Sequence, residues 1–333
     1  MTTTKTKAIA KAEGTTAILS TEIFGDSTIE AFVASRHPAP NTAKTYRNSI
    51  RQLLKFFAQK NISVPTTADI DTFINSLREK KNGKKAKSDS TIRLYVTTTK
   101  LFFAYLSKKD LYKDVAADVA PLKLRKSTTH KKNTLTDAQA KKLLNAIEGN
   151  DIISLRNKAI IALALTTGLR TCEISRANVE HFKDCGAYFT LDVIGKGHRE
   201  ADATVKVAAP VAEMIQAYLD KRGSVYDDEP LFTSTSHNVN WKKNSYGVRY
   251  SEQSVGKMIK AAMQAAGITD KKITAHSTRH YAATTAIKAG IDIREVSAML
   301  RHTSITITAV YLHDLSLQTR RAELAVADAL FCA

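Results

Sequence analysis

The chain has 333 residues, 43% of them hydrophobic, with 50 Lys and Arg against 32 Asp and Glu, a formal net charge of +18. That length suits two domains at about 100–200 residues each, no apolar run approaches the ~18 residues of a membrane-spanning helix, and three cysteines (Cys172, Cys185, Cys332) without a C-x-x-C pair exclude a disulfide framework and disfavour zinc. The basic surplus attracts polyanions by counterion release and long-range steering, so nucleic acid is the leading partner; an anionic membrane is the rival, but no segment pairs a basic face with a Trp- or Phe-rich one.

Residues 1–25 read as a flexible basic tail. Their Thr- and Lys-rich start, "MTTTKTKAIAKAEGTT", lacks the apolar core of a secretory signal, and a cytoplasmic location is expected. In "NTAKTYRNSIRQLLKFFAQK", 41–60, Tyr46, Ile50, Leu53, Leu54 and Phe57 recur on one helical face. Lys44, Arg47, Arg51 and Lys55 form a stripe on another. Such a stripe is ordinarily a solvated surface, but no acid interrupts this one within its segment, which favours DNA phosphate contact. A second helix is expected in "VPTTADIDTFINSLREKK", capped by Asp69 or a preceding Thr. After the basic loop "NGKKAKSDS", a third is expected in "STIRLYVTTTKLFFAYLSKK", with Ile92, Tyr95, Val96, Thr99, Phe103 and Leu106 on one side. Residues 26–120 therefore read as one all-helical domain of four or five helices.

Residues 121–134 are basic and aperiodic, an interdomain linker. The second domain, 135–333, opens with a capping box of Thr136 and Gln139. "LRNKAIIALALTTG" is an apolar helix stopped by Gly168, and "LRTCEISR" starts the next. "AYFTLDVIGKGHREADATVKVAA" switches to period two, with Phe189, Leu191 and Val193 alternating against Tyr188, Thr190 and Asp192. A second short strand lies near Thr204–Val207, and Gly-Lys-Gly marks a hairpin between the two. Beyond Pro210 the chain reads mainly helical. Trp241 and "KKNSYGVRY" read as a basic surface loop that could also touch DNA. The expected class is mainly α with a small β-sheet or hairpin: a helical domain plus a mixed α/β domain.

Five segments of the second domain carry notable polar residues: "TGLRTCE" with Arg170 and Glu173, "VIGKGH" with Lys196, "HSTRH" with His276 and Arg279, "LRHTS" with His302, and "VYLHD" with Tyr311. Singly, each has a bland explanation: a salt-bridged arginine, a solvated lysine, capping or satisfied histidines, a core tyrosine. In this order they resemble the signature of the tyrosine recombinases, the phage-integrase and Xer-like family. That signature runs Arg, a Gly-Lys-Gly lysine, His-x-x-Arg, His, then Tyr nine residues later. All six positions are filled, and Glu173 matches the family's acidic helper. The resemblance covers about 135–315, and the helical domain fits the family's SAM-like core-binding domain more loosely. Three departures stand out: Thr278 where the family usually has Leu, Arg301 where it usually has Gly, and the longer, more acidic "HREADATVKV" after Gly197. The glycine suits a left-handed helix end, so Arg301 must bear that strain or alter the turn.

The resemblance implies a two-domain DNA clamp that cleaves and rejoins double-stranded DNA through a 3′-phosphotyrosine, without metal, ATP or another cofactor. Arg170 and Arg279 suit a phosphate clamp because guanidinium forks bind phosphate oxygens bidentately. The resemblance makes Tyr311 the nucleophile, His276 the base, His302 a donor to a non-bridging oxygen and Lys196 the acid for the leaving 5′-oxygen. It also implies a homo-tetramer on paired sites, serving integration, excision or resolution, with an accessory DNA-bending protein as a further partner. The apolar side of "RRAELAVADALF", 320–331, either packs on its own chain or docks into a neighbouring subunit. The rivals are a monomeric type IB topoisomerase-like relaxase and a non-catalytic DNA-binding protein. The His280 and His313 positions lie outside the signature and are expected to be inert.

Overall fold

The computed structural model describes residues 23–79, 86–120, 133–195, 197–198, 200–223, 225–234 and 248–313, with the backbone alone for Leu312 and His313. The chain divides into two compact units, Met1–Lys126 and Ser127–Ala333.

In the first unit the described residues form four helices: α1 (Asp26–Ser35), α2 (Pro40–Gln59), α3 (Thr67–Arg78) and α4 (Asp89–Lys108). Each starts for a local reason. Pro40 sits at the first turn of α2, where its missing N–H costs nothing. Thr66 caps α3 and Asp69 completes a capping box, so the choice between Asp69 and a preceding Thr resolves into both. Ser88 caps α4. The helices bury their apolar stripes in one aromatic-rich core, with Phe32, Leu53, Phe57, Phe102 and Phe103 fully enclosed. Of the expected α2 face, Ile50, Leu53 and Phe57 are buried, while Tyr46 and Leu54 pack at its margin. Phe56 adds to it.

The second unit begins with α5 (Asp137–Asn145), whose Thr136–Gln139 capping box forms as expected. The centre is α6 (Ile152–Thr167), whose stretch Ala159–Leu165 is apolar on every side and correspondingly buried. Then follow the short α7 (Thr171–Arg176) and a three-stranded antiparallel sheet in the order β1 (Phe182–Asp184), β2 (Phe189–Val193), β3 (Ala203–Val207). β2 and β3 are the expected hairpin, with Leu191 opposite Val205. β1, with only three residues, has no run long enough to announce itself in the sequence. Helices α8 (Ala209–Arg222), α9 (Glu252–Ala265), α10 (His276–Lys288), α11 (Ile293–Leu300) and α12 (Ile305–His313) complete the described chain. α6 packs against α5, α8, α9, α10 and β3, while α10, α11 and α12 pack on one another. The mainly helical class with a small sheet is the one expected. No helix among the described residues is long and apolar enough to cross a membrane.

Candidate active site

The site is assembled from four helix ends. α6 stops at Gly168, which adopts a left-handed conformation with φ 63°. A Cβ there would lie 2.7 Å from Leu300 Cδ2, so both the turn and the approach of α11 require glycine. Two residues later Arg170 is the N-cap of α7, and Glu173 folds back beneath it. One carboxylate oxygen accepts the Arg170 backbone N–H at 2.7 Å, the other accepts from Arg170 Nη1 at 2.6 Å. The glutamate is buried, whereas the arginine side chain is part-exposed.

Arg279, in the first turn of α10, is 1% exposed. Its guanidinium donates to the Gly168 carbonyl at 2.7 Å and to the Leu300 carbonyl. Both acceptors lie at helix C-termini, where the backbone dipoles favour a cation. Burial, then the positive charge of Arg170, pushes its pKa down to about 10, which leaves it charged at neutral pH. His276 opens α10 and is exposed. Its ring lies 4.9 Å from that of His280, one turn on.

At the end of α11, Arg301 takes the left-handed conformation with φ 54° and ψ 50° that the departure from glycine foreshadowed. For a residue with a Cβ this costs about 1–2 kcal/mol. The turn is closed by Arg301 N–H to Ala298 O and His302 N–H to Ser297 O, and His302 lies close to Arg170 at the N-cap of α7 and Arg279 of α10. The Arg301 side chain donates to Met299 O at 2.6 Å and to Glu173 Oε2 at 2.8 Å. Burial alone would push the Glu173 carboxyl up; the charge of Arg301, then bonds from the Arg170 N–H and both guanidinium groups, hold it below the usual carboxylate range.

Tyr311 is 2% exposed, packed with Ala283, Val296 and Leu300. His302 stacks on it with ring centroids 6.2 Å apart and planes 3° from parallel. His280 meets the same phenol edge-on at 5.2 Å. His302 Nδ1 is 2.8 Å from the hydroxyl of Thr308, which is fully buried one turn before Tyr311 on α12. When that hydroxyl donates, Nε2 carries the imidazole proton. Burial first, then Arg279, Arg170, Arg301 and His276, push the His302 pKa down to about 4.

Thus Arg170, Glu173, Arg279, His302 and Tyr311 converge, with His276 reached through His280. Three residues outside the six signature positions also contact the site: Thr308 through His302, His280 through Tyr311 and Arg301 through Glu173. Position six after His302 and four after His276 were the only signals available. Lys196 lies outside the described residues. The preceding Gly195 is held by Arg176 of α7, which donates to its carbonyl at 2.7 Å, and by Asp202, which accepts its N–H at 2.7 Å. Residues 320–331, Trp241 and the His313 side chain also lie outside. Arg249 and Tyr250 prove structural rather than part of a loose surface loop. Arg249 donates to Ser175 O at 2.9 Å and Ala177 O at 3.1 Å, bracing the end of α7, and Arg156 stacks 4.0 Å over the Tyr250 ring.

The α2 stripe belongs to the other unit, and its premise of unopposed charge needs correcting. Arg47 is bound by Glu30, with Nη2 at 2.6 Å, and Arg51 by Asp26 at 2.9 Å. The acids come from α1, so inspecting α2 alone could not reveal them. Lys44 and Lys55 are exposed.

In the second unit two guanidinium groups, Arg170 and Arg301, share the Glu173 carboxylate, and a third, Arg279, lies on helix-terminal carbonyls, close to the His302 imidazole that stacks on the Tyr311 phenol. This excess of positive charge suits an anion that gains further charge as a phenol attacks it. Comparisons with known proteins point the same way. Residues 133–317 match the phage integrase family, and 27–116 match the phage integrase N-terminal SAM-like domain. The tyrosine recombinase XerD of Corynebacterium glutamicum is 27% identical over 302 residues, covering 89% of this chain and 94% of that protein. The tyrosine recombinase XerA of Pyrococcus furiosus is 30% identical over 268 residues, covering 80% and 83%. In fold, the chain resembles the XerH site-specific recombinase in its post-cleavage complex with a palindromic difH substrate, with a TM-score of 0.67 at 20% identity, covering 90% and 82%.

Proposed function

The chain belongs to the phage integrase family, and we propose that it is a site-specific DNA recombinase working through a covalent 3′-phosphotyrosine. The observation that carries this reading is the convergence of buried Arg279 and the Arg170–Glu173 pair on His302, which stacks against Tyr311.

The two arginines hold the scissile phosphate and neutralise the charge it gains in the transition state. The Tyr311 oxygen attacks phosphorus and forms a Tyr–O–P bond as the bond from phosphorus to the 5′-oxygen breaks. His276 receives the phenolic proton, with His280 as the ring between them in this conformation. Neutral His302, its Nδ1 bonded to Thr308, presents Nε2–H to a non-bridging oxygen. Lys196 protonates the leaving 5′-oxygen. The phosphodiester energy is kept in the protein–DNA bond, so a 5′-hydroxyl from another duplex reverses the step and exchanges strands. Tyr311 is enclosed, so α12 must shift for the phenol to meet a phosphate.

The helical unit serves as the core-binding domain and the second as the catalytic domain of a clamp on double-stranded DNA in the cytoplasm. A homo-tetramer on paired sites completes the reaction, helped by an accessory DNA-bending protein, with residues 320–331 docking into the neighbouring subunit. Integration, excision and resolution all use this chemistry.

The test uses duplexes enriched from a randomised pool by binding to the protein, then nicked so that the cleaved fragment diffuses away. Wild type is expected to accumulate a covalent adduct, and Tyr311→Phe to bind the same DNA without one. Binding without an adduct in wild type would favour a non-catalytic DNA-binding protein. An adduct without strand exchange on paired duplexes would favour a topoisomerase-like relaxase.

A further inference from the structure

We propose that Arg301 is a positioning residue of the strand-transfer site, a third guanidinium that clamps the His302 turn onto Glu173 and so onto the helix presenting Arg170. The proposal rests on the recombinase reading of that site and deepens it.

Three observations carry it. First, Arg301 occupies a left-handed position, φ 54°, where glycine would be unstrained. Second, its side chain is not in water: it is 11% exposed and reaches across 128 residues of sequence to a carboxylate that is itself fully enclosed. Glu173 Oε2 thereby receives two donors, the Arg170 N–H and Arg301 Nη2. Removing Arg301 leaves a buried carboxylate with one cation instead of two, free to draw the Arg170 guanidinium inward and away from a phosphate. Third, His302 follows Arg301 directly, so the clamp fixes the imidazole as well. Arg301 acts through Glu173 and His302, not by touching DNA. Its Nε–H is buried without a partner among the described residues, a cost that capping the turn alone would not require.

The charge arithmetic supports the same role. Arg170, Arg279 and Arg301 against Glu173 leave two positive charges in excess. A pentavalent phosphorane bears about two negative charges, where the ground-state diester bears one. Without Arg301 the excess falls to one.

The test compares Arg301→Gln, which keeps the strained turn without the charge, Arg301→Gly, which relieves the turn, and Arg301→Lys, which keeps charge without the planar fork. Three quantities are read: thermal unfolding, adduct formation at saturating nicked DNA with Kd measured separately, and the His302 titration by NMR in DNA-free protein. The groups facing His302 are Arg279, Arg170, Arg301, His276, Tyr311 and Thr308. Both neutral variants are expected to fold, to lose about tenfold or more in adduct rate with Kd changed less than about threefold, and to raise the His302 pKa from about 4. Arg301→Lys is expected to fall between. The proposal is overturned if Arg301→Gly cleaves at the wild-type rate, since the guanidinium would then be dispensable, or if His302 titrates unchanged in both neutral variants. Absence of a wild-type adduct would sink the recombinase reading, while the DNA-free titration would still judge the clamp.

Discussion

Thr308 carries a hydroxyl into a fully buried position and spends it on His302 Nδ1. Valine has the same shape and no hydroxyl, so Thr308→Val leaves the imidazole tautomer unset. Single-turnover adduct formation is expected to fall about tenfold, which corresponds to ~1.4 kcal/mol, with restoration by Thr308→Ser; unchanged rates would mean the bond is incidental to chemistry. A second prediction concerns acid. The folded pKa of His302 is depressed to about 4 from an ordinary 6.5. Between these values the unfolded chain binds the proton first, so stability present above the upper value is lost as pH falls toward the lower. Thermal melts across that window are expected to fall more steeply for wild type than for His302→Gln. Equal slopes would place the imidazole in a less hostile setting. At this scale the signature residues were legible because their order and spacing are rigid. Thr308 and His280 were not, because a hydrogen bond six residues away and a ring contact one turn away look like ordinary helix packing until the turns are folded.

Helix ends, more than helices, build the site. Gly168 ends α6, Arg170 begins α7, His276 begins α10, and Arg301 ends α11 just before His302. The orphan carbonyls of two of these ends are satisfied by Arg279, which makes the termini and the cationic pocket one structure. Gly168→Ala is therefore expected to harm stability and function together. The left-handed turn costs an alanine about 1–2 kcal/mol, and the contact with Leu300 adds about 1–3 kcal/mol of overpacking. Denaturant unfolding with the full chain checks this; a loss under ~1 kcal/mol would mean the α6–α11 approach is slack. The elements themselves were largely readable, since Thr136–Gln139, Gly168 and the apolar stripes are local signals. The unannounced β1 exists because β2 offers it an edge, and Phe182 faces Leu191 across that pairing.

At the scale of the whole molecule, the +18 charge predicts strongly salt-dependent DNA binding. Part of the positive surface is already engaged, with Arg47 on Glu30 and Arg51 on Asp26. If α2 tracks the DNA backbone, the double variant Asp26→Asn, Glu30→Gln releases two arginines. The slope of log K against log salt is then expected to steepen by up to about 2, at ~0.9 per phosphate neutralised. A slope identical to wild type would remove Arg47 and Arg51 from the interface and leave Lys44 and Lys55 as its candidates.

What the sequence determined by itself was whatever depends on neighbours along the chain: which stretches are helical, where they are capped, the polyanion partner, and the family to which the polar signature belongs. What only the tertiary structure decided was who pairs with whom. Arg301 and Glu173 are 128 positions apart, and Arg279 reaches a carbonyl 111 positions away. Whether a charge is free, bridged or buried is set by groups brought from elsewhere in the chain. Coulomb and hydrogen-bond energies depend on distance in space, and a linear pattern contains that distance only within a turn or two of helix.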